Sequence, residues 1–206
     1  MNTKLKVILT GAAVAGLLFA AVPATAAEPK GPDPISSANS YLATPEELKV
    51  LGLDQSAIDA QQATWDKLTP AQRTQQNQLR DAQAASHQDL ASVPVHHLGT
   101  QLGLVSPLTV YPQSCNDAPN GYKLGKGSPS SLTYTCYTGS GLFDYGANEL
   151  HPIVNIRPGL YKGRVLYHYY TNPNYYWSVD RGPNDFNTYS FDLTFGSVYV
   201  KTVQLY

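Results

Sequence analysis

The side chains able to carry reactive chemistry are few: five histidines, two cysteines, and one glutamate, Glu149, beyond Glu47. A metalloprotease needs two histidines on one helix turn with a glutamate between them, and no His-Glu-x-x-His occurs. A serine hydrolase needs its nucleophile on a strand-to-helix elbow, and Gly139-Ser140-Gly141 is not followed by a helical pattern. The adjacent pair His96-His97 points to two sides of an extended backbone and makes a poor chelate. His151 and His168 are the histidines of interest in the second half, each in a tyrosine-rich setting that favours a structural hydrogen bond. No signature marks the chain as an enzyme, and a non-enzymatic role is expected.

Three other groups have the chemistry of recognition. Tyr167, Tyr169, Tyr170, Tyr175, Tyr176 and Trp177 crowd into eleven residues. Tyr169, Tyr170, Tyr175, Tyr176 and Trp177 are the candidate binding residues, because an exposed ring offers large contact area with a polar tip to a sugar or a protein surface. Arg181, in Asp180-Arg181-Gly182-Pro183, is a candidate anchor for the specificity pocket of a trypsin-like protease, with Pro183 stiffening the exit. Cys115 and Cys136 are 21 positions apart with no other cysteine to compete, so an oxidising compartment pairs them.

Asn184-Asp185-Phe186-Asn187-Thr188, after Gly182-Pro183, resembles the calcium loop of βγ-crystallin-like domains, which also occur in small secreted bacterial proteins. Asn184, Asp185 and Thr188 match that pattern, and Tyr189 stands where the family has its final serine. The resemblance implies a calcium ion as candidate cofactor, held by oxygens of Asn184, Asp185 and Thr188.

These groups must be positioned by a chain whose composition changes near residue 95. Of 15 tyrosines only Tyr41 precedes Tyr111. Met1–Lys6 carries two lysines, Val7–Val22 is apolar, and Ala24-Thr25-Ala26 offers small residues to a peptidase, so residues 1–27 read as a secretory signal. Without Lys4 and Lys6 the balance is 12 basic to 15 acidic residues, which gives neither nucleic acid nor an anionic membrane a basic face to bind. The expected product is secreted and extracellular, and its partner is an extracellular protein or a glycan.

Residues 28–95 read as a helical segment. Thr44-Pro45-Glu46-Glu47 and Thr69-Pro70-Ala71-Gln72 each supply a cap, a first-turn proline and a side chain that reaches back, and Asp54 is a third cap. Helices are expected over 45–51, 55–67 and 70–91, with Ile58, Gln62 and Trp65 on one face of the second. Ser92–Pro107 reads as a linker.

Residues 96–206 read as a tyrosine-rich β domain, giving an α+β fold whose second part is an antiparallel sandwich or barrel. Strands are expected at 108–111, 132–137, 153–156, 163–170, 175–180, 189–195 and 198–205. Leu132, Tyr134 and Cys136 share a face in the second of these. Thr171–Asn174 is the expected turn of one hairpin, and Gly196-Ser197 that of the last. The apolar phase slips between Val200 and Val203, which predicts a bulge near Lys201.

Two functions are compatible with these features. The first is a secreted non-enzymatic binding protein, either a protease inhibitor or a cell-wall or carbohydrate-binding module. The second is a small secreted hydrolase carried with its helical segment as a pro-piece. They differ in what the helices cover: a pro-piece hides a polar cleft, and a structural hairpin covers an apolar sheet face.

Overall fold

In the computed structural model of the protein, residues 31–84, 95–97 and 110–206 are described. The expected signal, residues 85–91 of the third helix, most of the linker, and positions 108–109 lie outside them.

The capping signals act as the sequence implies. Helix α1 spans Pro45–Val50, where Thr44 Oγ1 accepts the Glu47 N–H and Glu47 Oε2 accepts the Thr44 N–H at 2.8 Å. Helix α2 spans Gln55–Lys67 behind Asp54, whose Oδ1 accepts the Ala57 N–H at 2.8 Å. Helix α3 is described over Pro70–Ala84, with Gln72 Oε1 accepting the Thr69 N–H at 2.9 Å. No described helix is long and apolar enough to cross a membrane.

The strands are β1 (Tyr41–Leu42), β2 (Val95–His97), β3 (Tyr111–Gln113), β4 (Tyr122–Ser128), β5 (Ser131–Thr138), β6 (Gly141–Asp144), β7 (Leu150–Arg157), β8 (Gly163–Tyr169), β9 (Asn172–Trp177), β10 (Tyr189–Ser190) and β11 (Val198–Leu205). They form one sheet, not closed into a barrel, in which eight run in the order β1-β9-β8-β11-β7-β4-β5-β3, while β10 pairs with β7, β6 with β11, and β2 with β6. The fold is thus α+β, and every described strand pair is antiparallel except β2 with β6.

Strand β11 is the hub. Along one edge it pairs with β8 throughout; along the other it pairs first with β7, through Val198 and Val200, then with β6, from Thr202 to Leu205. The changeover falls at Lys201, where the register against β8 slips between Val200 and Thr202, as the broken apolar phase predicts. The bulge keeps Val198, Val200, Val203 and Leu205 on one buried face.

The sheet has apolar residues on both faces. On β8, Val165, Tyr167 and Tyr169 point into the larger core with Tyr122, Leu124, Ile153 and Ile156, while Leu166 points to the opposite face. There Leu48 and Leu51 of the helical segment meet Leu142, Leu166, Tyr175 and Trp177, with Ile58 and Leu79 at the margin. The helices therefore cover an apolar sheet face. Tyr41 pairs with Trp177 and Leu42 with Tyr176, so β1 extends the sheet itself, and Gly31–Tyr206 is one compact unit.

Two devices fix the helices there. Gln61, not the exposed Gln62, faces inward on α2; its Nε2 donates to the carbonyls of Ala43 and Tyr175 at 3.0 and 3.1 Å, and its Oε1 accepts the Tyr175 N–H at 3.1 Å. Gln61→Leu should cost about 3 kcal/mol, since it leaves buried backbone groups without partners, and should speed hydrogen exchange at the Tyr175 amide. The second device is a stack. The Arg164 guanidinium lies 4.0 Å from the Trp177 ring centre and 5.6 Å from that of Tyr41, and Arg80 from α3 lies over the same Tyr41 ring at 5.0 Å. Arg164 is 1% exposed and donates from Nε to Gln204 Oε1 at 2.8 Å. Burial lowers its pKa to about 10, which leaves it charged at neutral pH.

Other expectations are corrected. The strand read over 189–195 ends at Ser190; Leu193–Phe195 is a 3-10 turn started by Asp192, whose Oδ1 accepts the Thr194 N–H at 3.0 Å. Leu193 and Phe195 are accordingly exposed, β10 pairs with β7, and Gly196-Ser197 closes no hairpin onto β11. Tyr169 pairs with Asn172, so the β8–β9 turn is Tyr170-Thr171 and Asn172–Asn174 belong to a strand. On β5, Tyr137 and Cys136 are buried but Tyr134 is 40% exposed, because the β4–β5 hairpin runs out beyond the core. Cys115 and Cys136 form the disulfide, with Cα atoms 5.1 Å apart.

Candidate functional site

The crowded aromatic residues separate by strand alternation. Tyr169 and Tyr176 belong to the larger core, Tyr175 and Trp177 to the core beneath the helices, and all four are buried. The expectation that they form a binding surface is corrected: rings on both faces of β8 and β9 find cover because both faces of the sheet are packed. Tyr170, at the turn, is 74% exposed.

Arg181 is also placed differently from a free anchor. Its backbone exchanges two 2.9 Å hydrogen bonds with Gly163, and its guanidinium lies 4.2 Å from the centre of the Tyr189 ring. Gly182 follows at φ +83°, where a Cβ would come within 2.1 Å of the Tyr161 carbonyl oxygen. The side chain is held along the protein by cation–π contact, and the segment after it packs against Pro158–Tyr161.

In the Asn184–Thr188 loop, Asp185 Oδ1 accepts from the Asn187 N–H at 3.0 Å and from its Nδ2 at 2.9 Å, while Oδ2 accepts the Tyr189 hydroxyl at 2.5 Å. Burial pushes the Asp185 carboxyl up, but the bonds from Tyr189 and Asn187 outweigh it and hold the group below the usual carboxylate range. The carboxylate that a calcium ion would need thus closes a turn, and exposed Asn184 and Thr188 are not among its partners. Among the described residues no group of three or more His, Cys, Asp or Glu side chains could hold a metal.

A different constellation lies on the helix-side face of the sheet. Its centre is Tyr199 on β11, directly opposite His168 on β8. The two rings stack at 5.1 Å between centroids and 21° between planes. On the other side of Tyr199, His151 of β7 stacks at 4.5 Å and 24°. Tyr170 adds a fourth ring, 6.3 Å from Tyr199 and 26° from parallel. Neighbouring strands lie about 4.8 Å apart, which sets rings on three adjacent strands at stacking distance. The row of ring edges borders an open pocket of about 350 Å³ lined by Ala147, Asn148, Glu149, His151 and Tyr199.

Glu149 ties the row to the covered half of the sheet. Its Oε2 lies 2.7 Å from His168 Nε2 and its Oε1 accepts the Tyr175 hydroxyl at 2.8 Å. Burial raises the Glu149 carboxyl; the His168 hydrogen bond and charge, the Tyr175 bond and the Lys201 charge together bring it below the usual range. His168 Nδ1 lies 3.0 Å from the Tyr169 carbonyl oxygen. Both ring nitrogens thus face oxygen atoms, which fixes the plane and orientation of the ring. His151 at the outer end is exposed.

The sign of the Glu149 shift gives a prediction. A carboxyl with a depressed folded pKa contributes stability that is complete above its unfolded value, about 4.3, and is lost as pH falls through the folded value. Unfolding midpoints should therefore drop on acidification below about pH 4, and Glu149→Gln should flatten that acid limb.

Sequence reading singled out His151, His168 and the solitary Glu149, but not Tyr199, whose partners are defined only by pairing across three strands. The chain matches no known protein family, no curated protein and no solved structure.

Proposed function

We propose that the protein is a secreted, non-enzymatic binding protein whose ring row and adjoining pocket dock a glycan of the cell wall or another extracellular polysaccharide. The observation that carries this reading is the row His151–Tyr199–His168 with exposed Tyr170 beside an open pocket, on the part of the sheet face that the helices leave uncovered. Sugars are recognised by apolar contact with aromatic rings together with polar groups at the rim, and Asn148, His151 and the ring edges supply both. The disulfide fits an oxidising compartment, in agreement with the secretory signal read at residues 1–27.

The helical segment bears on the alternative. It covers Leu142, Leu166, Tyr175 and Trp177, an apolar face, and β1 within it pairs with β9. This favours a structural hairpin over a removable pro-piece hiding a catalytic cleft. The stacking of Arg181 on Tyr189 weighs against protease inhibition through that residue.

The test is depletion of purified protein from solution by insoluble polysaccharides, with peptidoglycan sacculi, chitin and cellulose as probes. Binding to at least one is expected, with Tyr170→Ala and Tyr199→Ala each weakening it about tenfold, the equivalent of about 1.4 kcal/mol of ring contact, and Arg181→Ala leaving it unchanged. Retention of full affinity by both tyrosine variants would overturn the reading, as would absence of binding to all three probes.

A further inference from the structure

The bulge that divides β11 brings together two groups the binding site does not use. Lys201 Nζ lies 3.2 Å from Asp144 Oδ1, and the two side chains are 5% and 0% exposed. A lysine and an aspartate are rarely buried this completely, because moving both charges out of water costs more than most ion pairs return.

We infer that Lys201 and Asp144 form an intramolecular amide, a covalent cross-link between β11 and β6. In the reaction the Lys201 ammonium passes one proton to the Asp144 carboxylate, the freed Nζ attacks Asp144 Cγ and the Nζ–Cγ bond forms. The Cγ–Oδ2 bond then breaks, and Oδ2 leaves as water, carrying the acid proton and one proton from Nζ. No oxidant, reductant or activated co-reactant is needed.

The site is built for each requirement. Placement is fixed by the backbone: Asp144 is the register partner of Thr202, and the Tyr145 N–H donates to the Lys201 carbonyl at 2.9 Å, so the strands that carry the two groups cannot slide apart. Reactants held at such a separation react with effective concentrations far above any in solution. The product is satisfied where it forms. Lys201 Nζ donates to the Gly146 carbonyl, and the single N–H left after amide formation retains that acceptor. Thr202 Oγ1 lies 3.4 Å from Asp144 Oδ1, the oxygen that stays on the amide. The bond would close a covalent ring over 144–201, next along the chain to the ring closed by the disulfide over 115–136.

Intact-mass measurement of the folded full-length product decides the matter. The wild type should weigh less than its sequence, after correction for any removed leader and for the disulfide, by the mass of one water. Its tryptic digest should yield a branched peptide joining the Asp144 and Lys201 segments, with no cleavage after Lys201. Lys201→Arg and Asp144→Ala should both show full mass and no branched peptide. Asp144→Asn should lose ammonia in place of water and reach the same final mass as the wild type. Because a variant can fail to fold, the wild-type mass is the deciding reading: folded protein at its full sequence mass overturns the inference, whatever the variants do.

Discussion

Trp177→Ala is expected to lower the free energy of unfolding by about 4 kcal/mol, the range found when a large buried aromatic is truncated. The size follows from where the ring sits. Trp177 is fully buried in the core that joins the helices to the sheet, pairs with Tyr41 across β1 and β9, and covers one side of the Arg164 guanidinium at 4.0 Å. Truncation opens a cavity among Leu48, Leu51 and Leu166 and strips a buried cation of its π face. Chemical denaturation checks the value. Arg164→Met separates the two contributions: it keeps bulk and apolar contact while removing the charge, and it should cost less than Trp177→Ala. A Trp177→Ala loss below about 1 kcal/mol would show that the helices are held by other contacts.

Removing the disulfide should have the next largest effect. Replacing Cys115 and Cys136 together by alanine is expected to cost about 3 kcal/mol, the loop-entropy value for a ring of this length. The ring encloses all of β4, which pairs with β5 on one side and β7 on the other, so the bond limits the freedom of a central strand in the unfolded chain. A urea midpoint that shifts without a change of slope would assign the loss to stability alone. An unchanged midpoint would mean that the β4–β5 hairpin persists in the unfolded ensemble.

What the sequence made legible was local. Thr44, Asp54 and Thr69 cap helices because a cap and its partner lie within four residues, and the bulge at Lys201 shows as a phase slip within one strand. The cysteine pairing needed only counting. What escaped depends on partners far away in sequence. Leu193 and Phe195 alternate like strand residues, but the Asp192 cap, which needs only Thr194, competes locally for the backbone, and no described strand pairs with them. Gln61 and Gln62 are neighbours of the same type, and only the docking of α2 on Tyr175 selects the inward one. The tyrosine crowd was visible, but its division between two cores and one exposed ring follows from the helices covering half of one face. The ring row needs β7, β8 and β11 side by side, an order that no local pattern encodes.

That order also governs when the molecule can assemble during its synthesis. Strand β11 is the last described strand to leave the ribosome, yet it lies at the junction of both branches of the sheet. Until residues 198–205 emerge, β8 has no partner on that edge, β6 and β7 have no common support, and the larger core lacks Val198, Val200, Val203 and Leu205. The β4–β5–β7 and β1–β9–β8 groups can pair without β11, but joining them waits on contacts between distant parts of the chain, which form slowly.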